Sequence, residues 1–401
     1  VKVYLDNSAT TAVAPDVLSA MLPYFADEFG NAQSVHSFGQ RARAAVETAR
    51  REVASLIGAA PGEIIFTSGG TEADNLALRG VVESRFSAGR HIVTTAIEHP
   101  AVTATCKFLE GAGYDISYVP VSSSGLVTVD DVIRAIRQDT ALVSVMHSNN
   151  EIGTLQPIDE IGAAIKRLRS SARRDSPLFH TDAVQSAGKV ALDVNRLGVD
   201  LLSLSSHKIH GPKGVGALYL RKGAKILKLM HGGHHERDRR AGTENVPGIV
   251  GFGKAADHAR RELDRRSASM TALRDELETG IIARIPGARV NGDSQHRLPN
   301  ILNISFEGLD GESLLIALDI KGIAVSTGAA CASGSLEPSP VLRALGLSKE
   351  TVRGSIRMSL SAFTVAEEIA YAVEAVVETV TRLRALAPED HCVETTGQEA
   401  R

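Results

Sequence analysis

The stretch LLSLSSHKIHGPKGVGALYL, residues 201–220, reads as two short buried strands, 201–205 and 216–220, joined by a polar turn that carries Lys208. Gly211, Pro212 and Gly214 hold that turn in a tight loop before the second strand. Working outward, five further apolar or β-branched runs, 63–66, 91–96, 115–119, 141–146 and 178–181, alternate with segments of helical period. Alternation of this kind is the signature of a mostly parallel sheet covered by helices. The expected fold is therefore α/β, with seven strands in its large domain.

Beyond Thr243 the pattern changes. A long helix-like stretch rich in Arg and Glu runs to about Arg284, strands follow at 301–306 and 355–360, and helical segments lie at 311–320 and 365–384. This predicts a second, smaller α+β domain. The expected division is a large domain of residues 15–260 and a small domain of residues 1–14 and 261–387, the latter carrying a loop at about 322–340. The polar, aperiodic tail 388–401 is expected to be disordered.

Composition narrows the function classes. The 401 residues are 43% hydrophobic and 23% charged, as in average water-soluble proteins, and no apolar run is long enough to cross a bilayer. With 44 basic against 47 acidic residues there is no large basic field to hold a nucleic-acid backbone. The basic clusters at 166–175 and 260–266 read as solvated helix faces. The start, VKVYLDNSATT, lacks the basic and apolar segments of a secretory signal, so a cytoplasmic location is expected. Cys106, Cys331 and Cys392 are odd in number and far apart, which supports neither a disulfide framework nor a zinc site.

Ligands of open parallel sheets collect beyond the C-terminal ends of the strands, and four of the seven ends here are unusually polar. In FTSGGTEADNLAL, residues 66–78, Gly69 and Gly70 let backbone N–H groups approach a phosphate, and the Thr71 hydroxyl adds a donor. The spacing is neither GxGxxG nor GxxxxGK[ST]. LVSVMHSNNEIG ends at Asn149, Asn150 and Glu151, and LFHTDAVQSAG places Asp182 just past a strand with Gln185 three residues on. A carboxylate there either holds a pyridinium nitrogen protonated, making the ring an electron sink, or caps a helix. Lys208, partly desolvated and near other cationic groups, suits an amine nucleophile of the kind that forms Schiff bases. Lys213 competes with it but lies beyond Pro212 and reads as a solvated loop residue.

These segments, with YLDNSATT, FGNAQSVH, IEHPAV, RRAGTEN, STGAACASGSLEPSPVLRALG and SIRMSL, are collinear with a known family over nearly the whole chain. The sequence resembles the cysteine desulfurases of the NifS and IscS type, within the class V aminotransferase-like group of fold-type I pyridoxal-phosphate enzymes. The resemblance implies that Lys208 carries pyridoxal 5'-phosphate (PLP), that Asp182 pairs with the ring nitrogen and that Gln185 sits on the phenolic oxygen. It implies phosphate contacts from Gly70, Thr71, Ser205 and His207, with Thr243 given to the other subunit of a homodimer. His99 resembles the histidine that stacks on the ring and handles substrate protons, Asn150 lies beside ring and substrate, and Arg357 clamps the substrate carboxylate.

Cys331 sets the subfamily. It lies in AVSTGAACASGSLEPSPV, a Gly, Ala and Ser-rich stretch without hydrophobic period, expected to form a mobile loop that carries a nucleophilic thiol. By contrast Cys106, in TATCKFLEG, reads as a buried apolar residue. The loop is similar to that of the NifS/IscS group more than to the shorter SufS loop. One departure is SLSAFT at 359–364, where many relatives have SLGRFT. The implied activity is conversion of L-cysteine to L-alanine with a persulfide left on Cys331. The implied recipient is a sulfur-acceptor protein such as an iron–sulfur scaffold or a tRNA-thiolation enzyme. A selenocysteine lyase or another class V transferase would share the same cofactor residues, and an inactive member would serve for assembly alone.

Overall fold

The computed structural model describes residues 2–84, 89–172, 177–327 and 338–386. The strands are β1 (Val3–Tyr4), β2 (Ile64–Thr67), β3 (His91–Thr95), β4 (Asp115–Val119), β5 (Thr140–Ser144), β6 (Leu178–Asp182), β7 (Leu201–Ser205), β8 (Gly216–Leu220), β9 (Ala288–Val290), β10 (Ile301–Phe306), β11 (Ile323–Ala324) and β12 (Ser355–Ser359). Seven of them form one sheet in the order β2-β8-β7-β6-β5-β3-β4. Only β8 runs against the rest, being antiparallel to both β2 and β7. The C-terminal ends of the other six therefore open on one edge.

Period-two alternation explains how the sheet is covered. Phe66, Val93, Val143, Phe179, Leu202 and Ala217 enter one apolar core, and their neighbours Ile65, Ile92, Leu142, Leu178, Leu201 and Leu218 enter another. Helices Ser37–Leu56 and Val246–Arg261 close the first core, and helices Gly70–Ser84 and Pro100–Gly111 close the second. Strands buried on both faces need such continuous apolar runs, whereas the edge strand β4 is only partly covered, with Asp115 and Tyr118 exposed.

A second assembly holds the three-stranded antiparallel sheet β12-β10-β9 and the parallel pair β1-β11. Its core joins Val3 and Leu5 to Leu277, Ile281, Leu302, Ile304, Ile356, Met358 and Val376, so the N-terminal segment packs with the C-terminal third. The helix-like stretch ending near Arg284 is two helices, Val246–Arg261 and Leu263–Ile282, broken at Glu262. No Gly or Pro marks that break, which is why the periodicity reads as continuous. Among the described residues no helix is long and apolar enough to cross a membrane.

One buried ion pair ties the helical layer to the sheet. Arg50 donates to both Glu236 carboxylate oxygens, at 2.7 and 2.8 Å, and stacks 4.7 Å from the Phe66 ring centroid, while Phe66 N–H donates to Glu236 Oε2 at 2.9 Å. Glu236, Arg237 and Asp238 all have φ between 47° and 65°, a left-handed turn that side chains disfavour and that the pair anchors. Glu236→Ala is expected to lose about 3–5 kcal/mol of stability, because it strands a buried guanidinium. Urea denaturation measures this, and a loss below 1 kcal/mol, the scale of an exposed pair, contradicts it.

Candidate active site

The polar strand ends converge on the open edge of the large sheet. After β2, Thr67 Oγ1 donates to Gly69 O at 2.9 Å and Ser68 N–H to Glu72 Oε2 at 2.7 Å, shaping a turn into helix Gly70–Ser84. A Cβ on Gly70 would stand 2.8 Å from Val184 Cγ2 and 3.5 Å from Ser205 Cβ, so three strand ends meet where only glycine fits. Among the described residues the N–H groups of Gly70 and Thr71 find no acceptor, which leaves an anion-binding helix terminus.

After β3, His99 caps helix Pro100–Gly111, its Nδ1 accepting from Ala101 N–H at 3.1 Å. The neutral ring therefore carries its hydrogen on Nε2. Burial holds the His99 pKa below the ordinary imidazole value, with Asp182 opposing and Lys208 adding to the depression. After β5, Asn149 builds a turn through its side chain, and the Asn150 carbonyl accepts from Arg357 Nη1 at 3.0 Å.

Asp182 ends β6 at 6% exposure, its Oδ1 accepting from Val184 N–H at 2.9 Å. It ties a turn at residues 184–189 and caps no helix. Burial raises its pKa, while His99, the Val184 bond and Lys208 act against that. Gln185 Nε2 donates to Ser8 O at 3.0 Å, and its Oε1 is buried without a partner. After β7, Lys208 Nζ donates to Ala9 O at 2.8 Å and to Ser8 O. His207 contacts Thr10 Oγ1 at 3.1 Å, and its pKa is pushed down to about 4 by burial and by Lys208, Lys213 and Lys189. Lys213 is exposed, whereas Lys208 is partly covered.

The second assembly contributes Arg357 from β12. The side chain is buried, donating from Nη2 to Asp6 Oδ1 at 2.7 Å, and its Nε has no partner. Cys331 lies outside the described residues. The chain on either side of residues 328–337 is fixed beside the site: Ser326 exchanges backbone bonds with Arg357 at 2.6 and 3.0 Å, and Ser339 Oγ donates to Glu151 Oε2 at 2.6 Å. Thr243 is exposed, in the segment just before helix Val246–Arg261.

The class-V aminotransferase family matches residues 3–371. The chain belongs to that family. This class-V chain is similar to the cysteine desulfurase IscS of Methanosarcina thermophila, at 49% identity over 386 residues covering 96% of this chain and 94% of the relative. It is equally similar, at 49% identity over 386 residues with the same coverage, to a cysteine desulfurase of Nostoc sp. strain PCC 7120. Among solved structures, a NifS-like protein superposes with a TM-score of 0.88 at 39% identity, covering 95% of this chain and all of that one. SspA in complex with cysteine superposes at 0.79 and 36% identity, covering 91% of this chain and all of that one.

Several residues of this class-V site carry no role in the sequence analysis. Asp74 is buried, and its carboxylate, the Asp182 carboxylate and a His99 ring nitrogen all lie within 4.8 Å of one another. Its signal is a charge placed on the apolar stripe of Ala77, Leu78 and Val81 in helix Gly70–Ser84. Glu98, next to His99, accepts from Thr95 Oγ1 and Met146 N–H at 2.8 Å, and burial lifts its pKa to about 8. Lys189 donates to Lys208 O at 3.3 Å, its pKa pushed down to about 7 by burial and by Lys208. Asp6 and Ser8 sit in YLDNSATT, a motif without titratable pattern of its own.

Glu151 gives a pH prediction. Burial raises its pKa from 4.5 to about 7, against the Ser339 bond and Arg357. The folded state thus holds a proton that the unfolded state releases, so this stabilisation is present at low pH and lost as pH rises from about 4.5 to 7. Glu151→Gln is expected to flatten the pH dependence of the urea midpoint in that window relative to wild type. Parallel curves for the two proteins contradict it.

Proposed function

We propose that this protein is a PLP-dependent cysteine desulfurase, a sulfurtransferase that converts L-cysteine to L-alanine and leaves the sulfur as a persulfide on Cys331. The observation that carries the reading is the meeting of Lys208, Asp182, Gln185 and the Gly70-Thr71 turn on one sheet edge, facing Arg357 from the second assembly.

The site fits PLP. Donors at the start of helix Gly70–Ser84, with Ser205 and His207, suit its phosphate, and Asp182 suits a ring nitrogen that must stay protonated. The Gln185 amide, whose Nε2 now donates to Ser8 O, would suit a phenolic oxygen as a donor once that bond is exchanged. When bound, PLP supplies an electron sink for the pair released from the substrate Cα–H bond.

The chain supplies the rest. Lys208 would hold PLP covalently, and its amine, when free, would move the Cα proton of the bound substrate. Arg357 binds the substrate carboxylate, with Asn150 beside it. His99 would cover the ring; it presents Nε2–H, and it could take up a proton from the substrate thiol only by giving up its bond to Ala101. The Cys331 thiolate attacks the substrate sulfur: an S–S bond forms, the Cβ–S bond breaks, and its electron pair leaves with the carbon, which gains a proton on the way to alanine. The fixed flanks at Ser326 and Ser339 support delivery of Cys331 beside Arg357.

The same reading makes the protein a homodimer, with Thr243 reaching the partner's phosphate site. The sulfur acceptor is then an iron–sulfur scaffold or tRNA-thiolation enzyme. The setting is cytoplasmic, where thiols stay reduced. It assigns residues 15–260 to the cofactor domain and residues 1–14 with 261–387 to the small one, in keeping with the separate apolar cores. Purified protein supplied with L-cysteine and a reductant is expected to release sulfide and L-alanine in equal amounts. Release of neither overturns the proposal.

A further inference from the structure

Residues 6–9 run through the site as a strut. Asn7 donates to Ser359 O from its backbone and its side chain, at 3.2 and 2.9 Å, and Ser8 N–H donates to Ser359 Oγ at 2.8 Å. The next carbonyls, of Ser8 and Ala9, accept from Lys208 Nζ. Asp6 is thereby fixed relative to Arg357, whose own backbone is paired with Ser326 on one side and registers with Asn303 on the other. The Asp6 and Arg357 side chains are 19% and 4% exposed.

A guanidinium offers five N–H donors in one plane. In Arg357 one is committed to the Asn150 carbonyl and one to Asp6, and the buried Nε–H is unpartnered. The fork is thus held in place with donors to spare, but its charge is already balanced by a resident carboxylate. A second carboxylate brought here adds a net negative charge to a largely dry site, which is costly without a further cation. Glu151 and Tyr4 also face this pair; both are acids pushed toward their neutral forms mainly by burial, so they add little negative charge and, as acids, offer no cation. An α-amino acid brings its own, the α-ammonium.

We propose that Asp6 is a positioning and specificity residue that orients Arg357 and makes the clamp select zwitterionic α-amino acids over carboxylates lacking an α-amine. The proposal rests on the reading of Arg357 as the substrate-carboxylate clamp. Asp6→Asn keeps an acceptor for Nη2 and removes the charge, whereas Asp6→Ala removes both.

The test uses the cofactor-loaded protein, with calorimetric binding of 3-mercaptopropionate, a thiol carboxylate without an amine, beside the KM for L-cysteine. Asp6→Asn is expected to bind 3-mercaptopropionate about tenfold more tightly, with a smaller change in the KM for L-cysteine, so that discrimination falls; one half-buried charge acts on this scale. Asp6→Ala, which also removes the charge, is expected to lose the same discrimination and in addition to raise the KM for L-cysteine through loss of orientation. If Asp6→Ala does not fold, Asp6→Asn decides alone: an unchanged ratio of the two affinities means a merely structural role and overturns the proposal. Arg357→Lys separates the two layers of the argument. An unmoved KM in that variant overturns the clamp reading and the proposal with it, while a raised KM together with an unchanged Asp6→Asn ratio overturns the proposal alone.

Discussion

Lys208→Ala is expected to abolish desulfurase turnover, by about 10³-fold or more, and to remove the visible absorbance of covalently held PLP. Two roles fall on one amine, tethering the ring and moving the Cα proton, and general acid–base transfer alone is worth about 10²–10⁴-fold. The surroundings of Lys208 favour it over the other lysines for this proposed role. Its Nζ is held by the carbonyls of Ser8 and Ala9, beside Gln185, while Lys213 is exposed and Lys189 turns its ammonium to the Lys208 carbonyl. The residues proposed to hold the phosphate, Gly70, Thr71, Ser205 and His207, are untouched, so the variant should still bind PLP reversibly. Retained absorbance resistant to dialysis would assign the tether to another lysine.

Cys331→Ala separates the two halves of the chemistry. The variant should purify with PLP bound and should still take up L-cysteine, because Arg357, Asp182 and Lys208 are untouched. Sulfide and alanine formation should fall by about 10²-fold or more, since a thiol held next to the substrate sulfur is worth orders of magnitude over one in solution. Cys106 does not substitute for it: that side chain is fully buried, and its thiol is pushed up to about 12 by burial and by Glu98 and Glu110. Sulfide release equal to that of wild type would take Cys331 out of the reaction.

Much of this was legible in the sequence because of how the sheet is built. The seven large strands are short apolar runs bounded by turn residues, and each lies within about two residues of its expected position. The polar strand ends at Gly70, Asn150, Asp182 and Lys208 stand out because they gather beyond the C-terminal ends of the strands, where ligands of such sheets collect, although each alone is also compatible with a turn or a cap. Three strands were not legible: β1, β9 and β11 are two or three residues long and carry no periodicity. The roles of Asp6 and Ser8 were not legible either. They act through contacts with Arg357 and Lys208, some 350 and 200 residues away in the chain, and no local pattern encodes a pairing of that span. Asp74 and Glu98 are hidden for a related reason, since a buried carboxyl looks in sequence like any surface charge until its neighbours are known.

The central claim is that sulfur leaves L-cysteine onto one particular thiol. Incubation of the cofactor-loaded protein with L-cysteine, trapping with a thiol-alkylating reagent and peptide mass spectrometry reads this directly. One added sulfur on the peptide containing Cys331, and none on those containing Cys106 or Cys392, is the predicted result. An unmodified Cys331 in protein that is actively releasing sulfide would contradict it.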